Sequence, residues 1–123
     1  MLAQQSEILQ AYGMDITSTV ARFGGNEGLM MRFLKTFPND PTMQSLRDAV
    51  AASDREAMGV AAHSLKGLTG NLGLTSLFEE SSLLMNALRQ DADAETTQKL
   101  YESVCEKYDI AIEMLARLVA AEA

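Results

Sequence analysis

Several residue types are scarce in this chain of 123 residues, and each scarcity excludes a class of protein. One cysteine rules out a disulfide within the chain, and one histidine rules out a zinc site of the usual histidine and cysteine composition. No run approaches the roughly 18 consecutive apolar residues of a membrane span. Residues 1–12 lack the basic and apolar regions of a signal peptide. We therefore expect a cytoplasmic protein that makes no contact with a membrane.

Positive charge is also in short supply, since 10 basic residues stand against 17 acidic ones and the net charge is −7. Most of such a surface repels a phosphate backbone, so we expect no nucleic-acid partner. The other proportions, 47% hydrophobic and 22% charged, are those of folded globular proteins. The length suits one hydrophobic core, and we expect residues 1–123 to form a single domain.

Apolar residues recur at intervals of three and four, which is the spacing of amphipathic helices. The stripe of the central helix is Met58, Ala61, Leu65, Leu68 and Leu72, and that of the last helix is Tyr101, Val104, Tyr108, Ile112, Leu115 and Val119. No segment has the alternation of a strand. Four longer helices with brief connections predict an all-α, up-down four-helix bundle with additional short N-terminal helices.

Polar residues and glycines mark the ends of the N-terminal helices. Asp15 and Asn26 are predicted to cap two of them, and the pair of glycines at 24–25 ends the first. Asp40 followed by Pro41 predicts an N-cap with proline at the first helical position, where its missing N–H is not needed.

Two sequences of the form S-x-x-E predict capping boxes further along the chain. Ser53 and Glu56 are expected to open the central helix, and Ser76 and Glu79 the helix after it. Gly73 between them is expected to end the central helix, because glycine readily adopts the left-handed backbone of a helix C-terminus.

The single histidine lies on the central helix, about 200° around from Ala61 and therefore opposite the core stripe. The residues that share its helix face are Gly59, Lys66, Gly67 and Gly70. Each glycine inside a helix costs roughly 0.5–1 kcal/mol relative to alanine. A bare backbone beside His63 explains this cost, because another protein can then approach the imidazole closely. Lys66 is suited to pair with phosphoryl oxygens that arrive there.

The run Ala62-His63-Ser64-Leu65-Lys66-Gly67, with Leu72-Gly73 and Leu77 after it, resembles the A-H-x-L-K-G…L-G…L signature of histidine-containing phosphotransfer (HPt) domains. Residues 22–37 are similar to the N-terminal region of that family, so the resemblance covers nearly the whole chain. The chain departs from the pattern downstream, since the family often has a cysteine or alanine near Ser81 and a glutamate near Met85. Both are bundle positions.

The resemblance implies that His63 takes a phosphoryl group from an aspartyl phosphate on a response-regulator receiver domain and passes it to another receiver domain. It implies a phosphohistidine carrier of two-component signal transduction rather than an enzyme, with no ATP-binding or kinase site of its own. Lys66 would be the phosphoryl charge partner, and Gly59, Gly67 and Gly70 the access surface. No cofactor is expected on this domain, and magnesium is expected on the receiver. A hybrid histidine kinase is a further candidate partner, and we expect a monomer.

Two other interpretations stay open. A helical bundle that has lost the relay and serves as a protein-binding module explains the periodicities, although it does not explain the glycines beside the histidine. Asp91-x-Asp93-x-Glu95 has the beginning of a calcium loop. Thr96 replaces its glycine, however, so a turn that caps the last helix is favoured.

Overall fold

The computed structural model describes residues 1–122. Within them the chain forms seven α-helices and one 3-10 helix, and no strand. The α-helices are α1 (Ala3–Tyr12), α2 (Ile16–Arg22), α3 (Glu27–Thr36), α4 (Thr42–Ala51), α5 (Arg55–Asn71), α6 (Thr75–Arg89) and α7 (Ala94–Ala120), and the 3-10 helix Phe37–Asn39 follows α3. The predicted all-α class is confirmed.

Helices α4 to α7 form the up-down bundle, because connections of only three or four residues make each helix antiparallel to the next. Helix α5 packs between α4 and α6, and α6 packs on α7. The guanidinium of Arg47 on α4 lies 5.1 Å from the ring centroid of Tyr108 on α7, so the first and last helices of the bundle also meet.

The short N-terminal helices cover the part of α7 that the bundle leaves open. Helix α7 has 27 residues, whereas α6 has 15, so α7 extends well beyond its neighbour. Helices α1 and α3 pack against α7 and bury this extension. Without them, Met114 and Leu118, which are 6% and 0% exposed, would face water.

The helix periodicity places most of the core correctly. On α5, Met58, Ala61, Leu65 and Leu72 are buried as predicted, and Leu68 is partly buried.

On α7 the prediction is wrong at Val119, which is 49% exposed, while Leu118 beside it is fully buried. The C-terminal part of α7 packs against α1 and α3 rather than α6, so its buried stripe faces another direction there.

The N-terminal caps follow the prediction closely. The Asp15 side chain accepts a hydrogen bond from the Ser18 N–H, and the Asn26 side chain accepts one from the Leu29 N–H. Helix α4 begins one residue later than predicted, with Pro41 at the N-cap. The Asp40 carboxylate still accepts a hydrogen bond from the backbone N–H after the proline, at 2.8 Å.

Neither capping box forms. Helix α5 is capped by Asp54, whose side chain accepts from the Ala57 N–H, while Ser53 before it has a left-handed backbone with φ of 52°. Helix α6 has Leu74 at its N-cap, so Ser76 lies inside the helix. Leu74 is fully buried, and this anchor fixes where the chain enters α6.

Gly73 follows the last residues of α5 and has φ of +69°, the left-handed conformation predicted for it. A Cβ atom at this position would lie 2.3 Å from the Thr19 hydroxyl oxygen. The glycine therefore also lets α2 pack directly on the connection between α5 and α6.

Candidate functional site

His63 lies in the middle of α5 on its solvent side. The imidazole is exposed, whereas Ala62 and Leu65 on either side are fully buried. Because a helix turns by about 100° per residue, a core-facing stripe at these positions points His63 outward. The predicted exposure of His63 is confirmed.

Two of the three glycines on this face have open space in front of them. A Cβ atom at Gly59 or at Gly67 would have no neighbouring atom within 4 Å. Packing within the fold therefore does not require glycine at either position, although each costs about 0.5–1 kcal/mol of helix stability. The backbone on both sides of His63 is accessible to a partner.

Gly70 differs from the other two, because it packs against α6. A Cβ atom there would lie 3.3 Å from the Phe78 ring. Close packing between α5 and α6 thus accounts for this glycine without an approaching partner. The access role assigned to Gly70 from the sequence stays a prediction.

The ammonium group of Lys66 lies at the boundary between α5 and α6. Its Nζ atom is 5.9 Å from the centroid of the Phe78 ring, within the range of a cation–π interaction. None of the three ion pairs formed within residues 1–122 involves Lys66. Its charge is therefore not neutralised by a carboxylate, and an incoming anion near His63 would be attracted to it.

A groove of about 400 Å³ runs between α5 and α6, with His63 on its wall. Its uncharged lining comprises Gly59, Val60, Ser64, Met85 and Leu88. Val60 is 65% exposed and lies one turn before His63. A second groove, of about 490 Å³, lies between α4 and α5 and shares Glu56, Val60 and Ser64 with the first. His63 and Val60 therefore stand on an exposed ridge that a partner surface can contact from both sides.

The sequence reasoning missed Val60 and Met85 as parts of this surface. Val60 could have been found, since it lies three residues before His63 and shares its helix face. Met85 could not, because its position depends on how α6 packs against α5. Met85 is a bundle position as predicted, 3% exposed, and it also lines the groove.

The other departure from the family pattern, Ser81, lies away from the groove. Its side chain is 1% exposed, and its hydroxyl donates a hydrogen bond to the Leu77 carbonyl at 2.7 Å. The buried hydroxyl is therefore satisfied within its own helix.

The acidic run at 91–95 forms the turn before α7. The Asp93 side chain accepts a hydrogen bond from the Thr96 N–H at 2.7 Å, which lowers the pKa of this carboxyl below its ordinary value. Asp93 therefore caps α7, as the favoured interpretation predicts. Across residues 1–122, no three histidine, cysteine, aspartate or glutamate side chains are grouped so that they could hold a metal ion. Nor does any helix there have the length and apolar character of a membrane span.

Comparison with known families identifies the class of this protein. The family model of the Hpt domain matches residues 29–121, which is more than half of the chain. The chain therefore belongs to the Hpt domain family, the histidine-containing phosphotransfer family that its sequence resembles. No curated protein and no solved structure gives a significant match.

Membership of this family fixes the general function. Hpt domains carry phosphoryl groups in two-component and phosphorelay signalling, and they are phosphocarrier modules rather than kinases. Members of the family interact with response-regulator receiver domains and with kinase domains.

Proposed function

We propose that this Hpt domain is a phosphorelay intermediate that uses His63 as its phosphoryl acceptor. A receiver-domain aspartyl phosphate donates the group, and a second receiver domain accepts it. The observation that carries the proposal is the position of His63: its imidazole is exposed, with Gly59 and Gly67 open on either side. His63 is the only histidine in the chain, so no second histidine competes for this role.

The transfer is a nucleophilic displacement at phosphorus. The lone pair of Nε2 on neutral His63 attacks the phosphorus atom, and an N–P bond forms as the P–O bond to the receiver aspartate breaks. The aspartate leaves as a carboxylate. Nδ1 keeps its proton, so the phosphorylated ring carries a positive charge beside the phosphoryl oxygens. The second transfer is the reverse reaction with another aspartate.

Lys66 contributes charge rather than covalent chemistry. A loose phosphoryl-transfer transition state needs positioning and charge compensation. The ammonium group of Lys66, one helical turn from His63, supplies part of the charge compensation. The magnesium ion belongs to the receiver in this proposal, and the Hpt domain binds no cofactor. The chain is a carrier without kinase activity, it acts as a monomer, and a hybrid histidine kinase is a candidate source of the phosphoryl group.

The docking surface in this proposal is the ridge around His63. Val60 supplies exposed apolar area, and the grooves on either side accept protruding side chains of the receiver. A carrier must exchange partners between two transfers, so its interface is small and short-lived.

The test is to incubate the chain with phosphorylated receiver domains and to analyse the phosphate that it acquires. We expect phosphate that is stable to alkali and labile to acid, as phosphohistidine is, and none on the His63→Gln variant. If several competent receivers leave the wild-type chain unlabelled but still bind it, the domain is a protein-binding module and the carrier proposal is wrong.

A further inference from the structure

Three charged residues line the groove beside His63, and two of them are basic. They are Arg55, Glu56 and Arg89. On a molecule with net charge −7, this excess of positive charge is a local exception. With Lys66 near the other side of His63, the groove is a place where an acidic surface can approach with less repulsion.

The two arginines are engaged differently. The Arg55 guanidinium donates hydrogen bonds to the Ala92 carbonyl at 2.8 Å and to the Thr97 hydroxyl at 3.4 Å. It therefore fastens the beginning of α5 to the beginning of α7. Arg89 is exposed, and none of the three ion pairs within residues 1–122 involves it. Its guanidinium can bind a partner without breaking an ion pair of the fold.

The register of α5 and α6 places Arg89 on the opposite side of His63 from Lys66. Gly70 packs on Phe78, and this contact fixes which residues of the two antiparallel helices lie opposite each other. Gly59 lies eleven residues before Gly70 and Arg89 eleven after Phe78, so Arg89 is opposite Gly59. Gly59 has no Cβ to block the groove there. Cations thus flank the imidazole on both sides along α5, with Arg89 in the groove and Lys66 beyond the groove lining.

We propose that Arg89 is a docking residue that recognises the carboxylate-rich rim around the phosphorylation pocket of a receiver domain. The inference rests on the proposed function of His63. Arg89 faces a point of α5 that is one helical turn, about 5–6 Å, from His63. A partner centred on His63 therefore brings its pocket rim, rather than its phosphoryl group, to the guanidinium. Arginine is suited to this contact because its planar fork pairs with a carboxylate through two hydrogen bonds.

A structural explanation for Arg89 is its position in the last turn of α6, where a cation interacts favourably with the helix dipole. Arg117 offers a matched control, since it is exposed and lies in the last turn of α7. Replacing either arginine by glutamine removes the same charge from the last turn of a helix. Only Arg89 lies in the groove of His63.

The experiment compares Arg89→Gln, Arg89→Lys and Arg117→Gln with the wild-type chain. The probe is the receiver domain that transfers phosphate fastest to wild type. For each variant, the second-order rate constant of transfer, the first-order rate in the saturated complex and the dissociation constant of the receiver are measured at low and high ionic strength. Phosphoramidate serves as a small phosphoryl donor that has no protein surface.

We expect Arg89→Gln to lower the second-order rate constant and the affinity roughly threefold to tenfold at low ionic strength, and less at high ionic strength, because salt screens the contact. The rate in the saturated complex and labelling by phosphoramidate should stay at wild-type values. Arg89→Lys should keep most of the wild-type rate, and Arg117→Gln should behave as wild type.

Equal effects of Arg89→Gln and Arg117→Gln would overturn the proposal, since net charge or the helix dipole would then explain both. Slower labelling of Arg89→Gln by phosphoramidate would overturn it as well, because the arginine would then act on the phosphoryl group. If His63 of the wild-type chain acquires no phosphate, the proposed function is wrong, and the dissociation constants of the variants for the receiver that binds wild type most tightly then decide the role of Arg89.

Discussion

The imidazole of His63 and the residues one turn away from it determine what this surface can do. Exposure leaves the ring nitrogens accessible to a partner. Lys66 adds a cation that no carboxylate in residues 1–122 neutralises. Gly67 contributes by lacking a side chain, because its backbone is open to solvent. Charge and access are therefore carried by different residues and can be tested separately.

Removal of the Lys66 charge should weaken transfer without abolishing it. We expect Lys66→Ala to slow phosphoryl transfer to His63 by about tenfold, the equivalent of about 1.4 kcal/mol and close to one charge-assisted hydrogen bond. The lifetime of the phosphohistidine should shorten as well. Rapid-quench measurement of labelled chain checks the rate, and Lys66→Arg, which keeps the charge, should lie closer to wild type. A rate as low as that of His63→Gln would contradict the assignment of charge compensation.

A side chain at Gly67 should obstruct the partner but not the fold. We expect Gly67→Val to keep its helix content and free energy of unfolding, because valine is no worse than glycine in a helix and a Cβ there meets no atom within 4 Å. Transfer from a receiver should slow, whereas labelling by phosphoramidate should change little. Circular dichroism and transfer kinetics measure the two effects. Transfer at the wild-type rate would show that access past Gly67 is not needed.

The contact between α5 and α6 is the element-level feature that builds the groove. Phe78 packs on the bare backbone of Gly70, which lets the two helices approach closely and sets their register. That register places Met85 in the groove beside His63 and Arg89 further along it. The candidate site therefore consists of two helices, although the proposed phosphoryl acceptor, His63, lies on only one.

The same substitution at Gly70 should destabilise the fold, whereas at Gly67 it should leave the free energy of unfolding unchanged. We expect Gly70→Val to lower the free energy of unfolding by about 1–3 kcal/mol, since its side chain meets the Phe78 ring and the packed helices must shift. Urea unfolding of the two valine variants gives a direct comparison, because both lie on α5 and share the same change in helix propensity. Equal stability of the two would mean that the Phe78 contact does not require glycine.

Across the whole molecule, ionisable groups with shifted pKa values limit stability at both ends of the pH range. Burial raises the pKa of Tyr12 to about 12, and burial together with a hydrogen bond to Cys105 raises that of Tyr101 to about 12. The Thr96 N–H lowers the pKa of Asp93, and the hydrogen bond from Lys35 lowers that of Glu122. These groups lie in the bundle, at the start of α7 and at the contact of α7 with the N-terminal helices.

The free energy of unfolding should be constant between about pH 5 and pH 10 and should fall on both sides. Above pH 10.0 an unfolded tyrosine loses its proton first, so stability is lost as the pH rises toward 12. Below the ordinary value of 4.5 for glutamate and 3.8 for aspartate, the unfolded carboxyls take up protons first, so stability falls as the pH decreases. Urea unfolding at a series of pH values measures both the alkaline limb of this profile, where stability falls above pH 10, and the acid limb, where it falls below about pH 5.

Single variants identify the groups responsible for each limb. Tyr12→Phe should flatten the alkaline limb, because phenylalanine cannot ionise, and should cost little near neutral pH, because the Tyr12 hydroxyl is buried without a hydrogen-bond partner in residues 1–122. Asp93→Asn should flatten the acid limb while its amide oxygen still caps α7. A pH profile unchanged by both variants would show that other groups control these limbs.

Much of the fold and the location of His63 follow from the sequence alone. Helix periodicity depends on local geometry, so it predicts the all-α class, most of the α5 core and the exposed side on which His63 lies. The caps at Asp15 and Asn26 are equally local, because a short side chain satisfies N–H groups two or three residues away. The motif around His63 identifies the family that the comparison confirms.

Features that depend on contacts between elements were decided by the tertiary structure. Periodicity cannot tell which partner a stripe will face, so Val119 was wrongly expected in the core, and the capping box at Ser53 failed because its left-handed backbone leaves Asp54 to cap α5. The reason for glycine at position 70 is the Phe78 ring on α6, which contacts Gly70 in the folded chain.

 The contact joins residues of two different helices, so no pattern within α5 alone could indicate it.

The groove beside His63 is the clearest case of this difference. The histidine, Lys66 and the open glycines share one helix face, and their spacing could be read from the chain. Met85 and Arg89 join them only because α6 folds back against α5 in one register. The sequence by itself therefore determined the position of His63, the proposed phosphoryl acceptor, and its exposure, since both depend on a single helix. Only the tertiary structure decided which side chains surround it, since that depends on packing between helices.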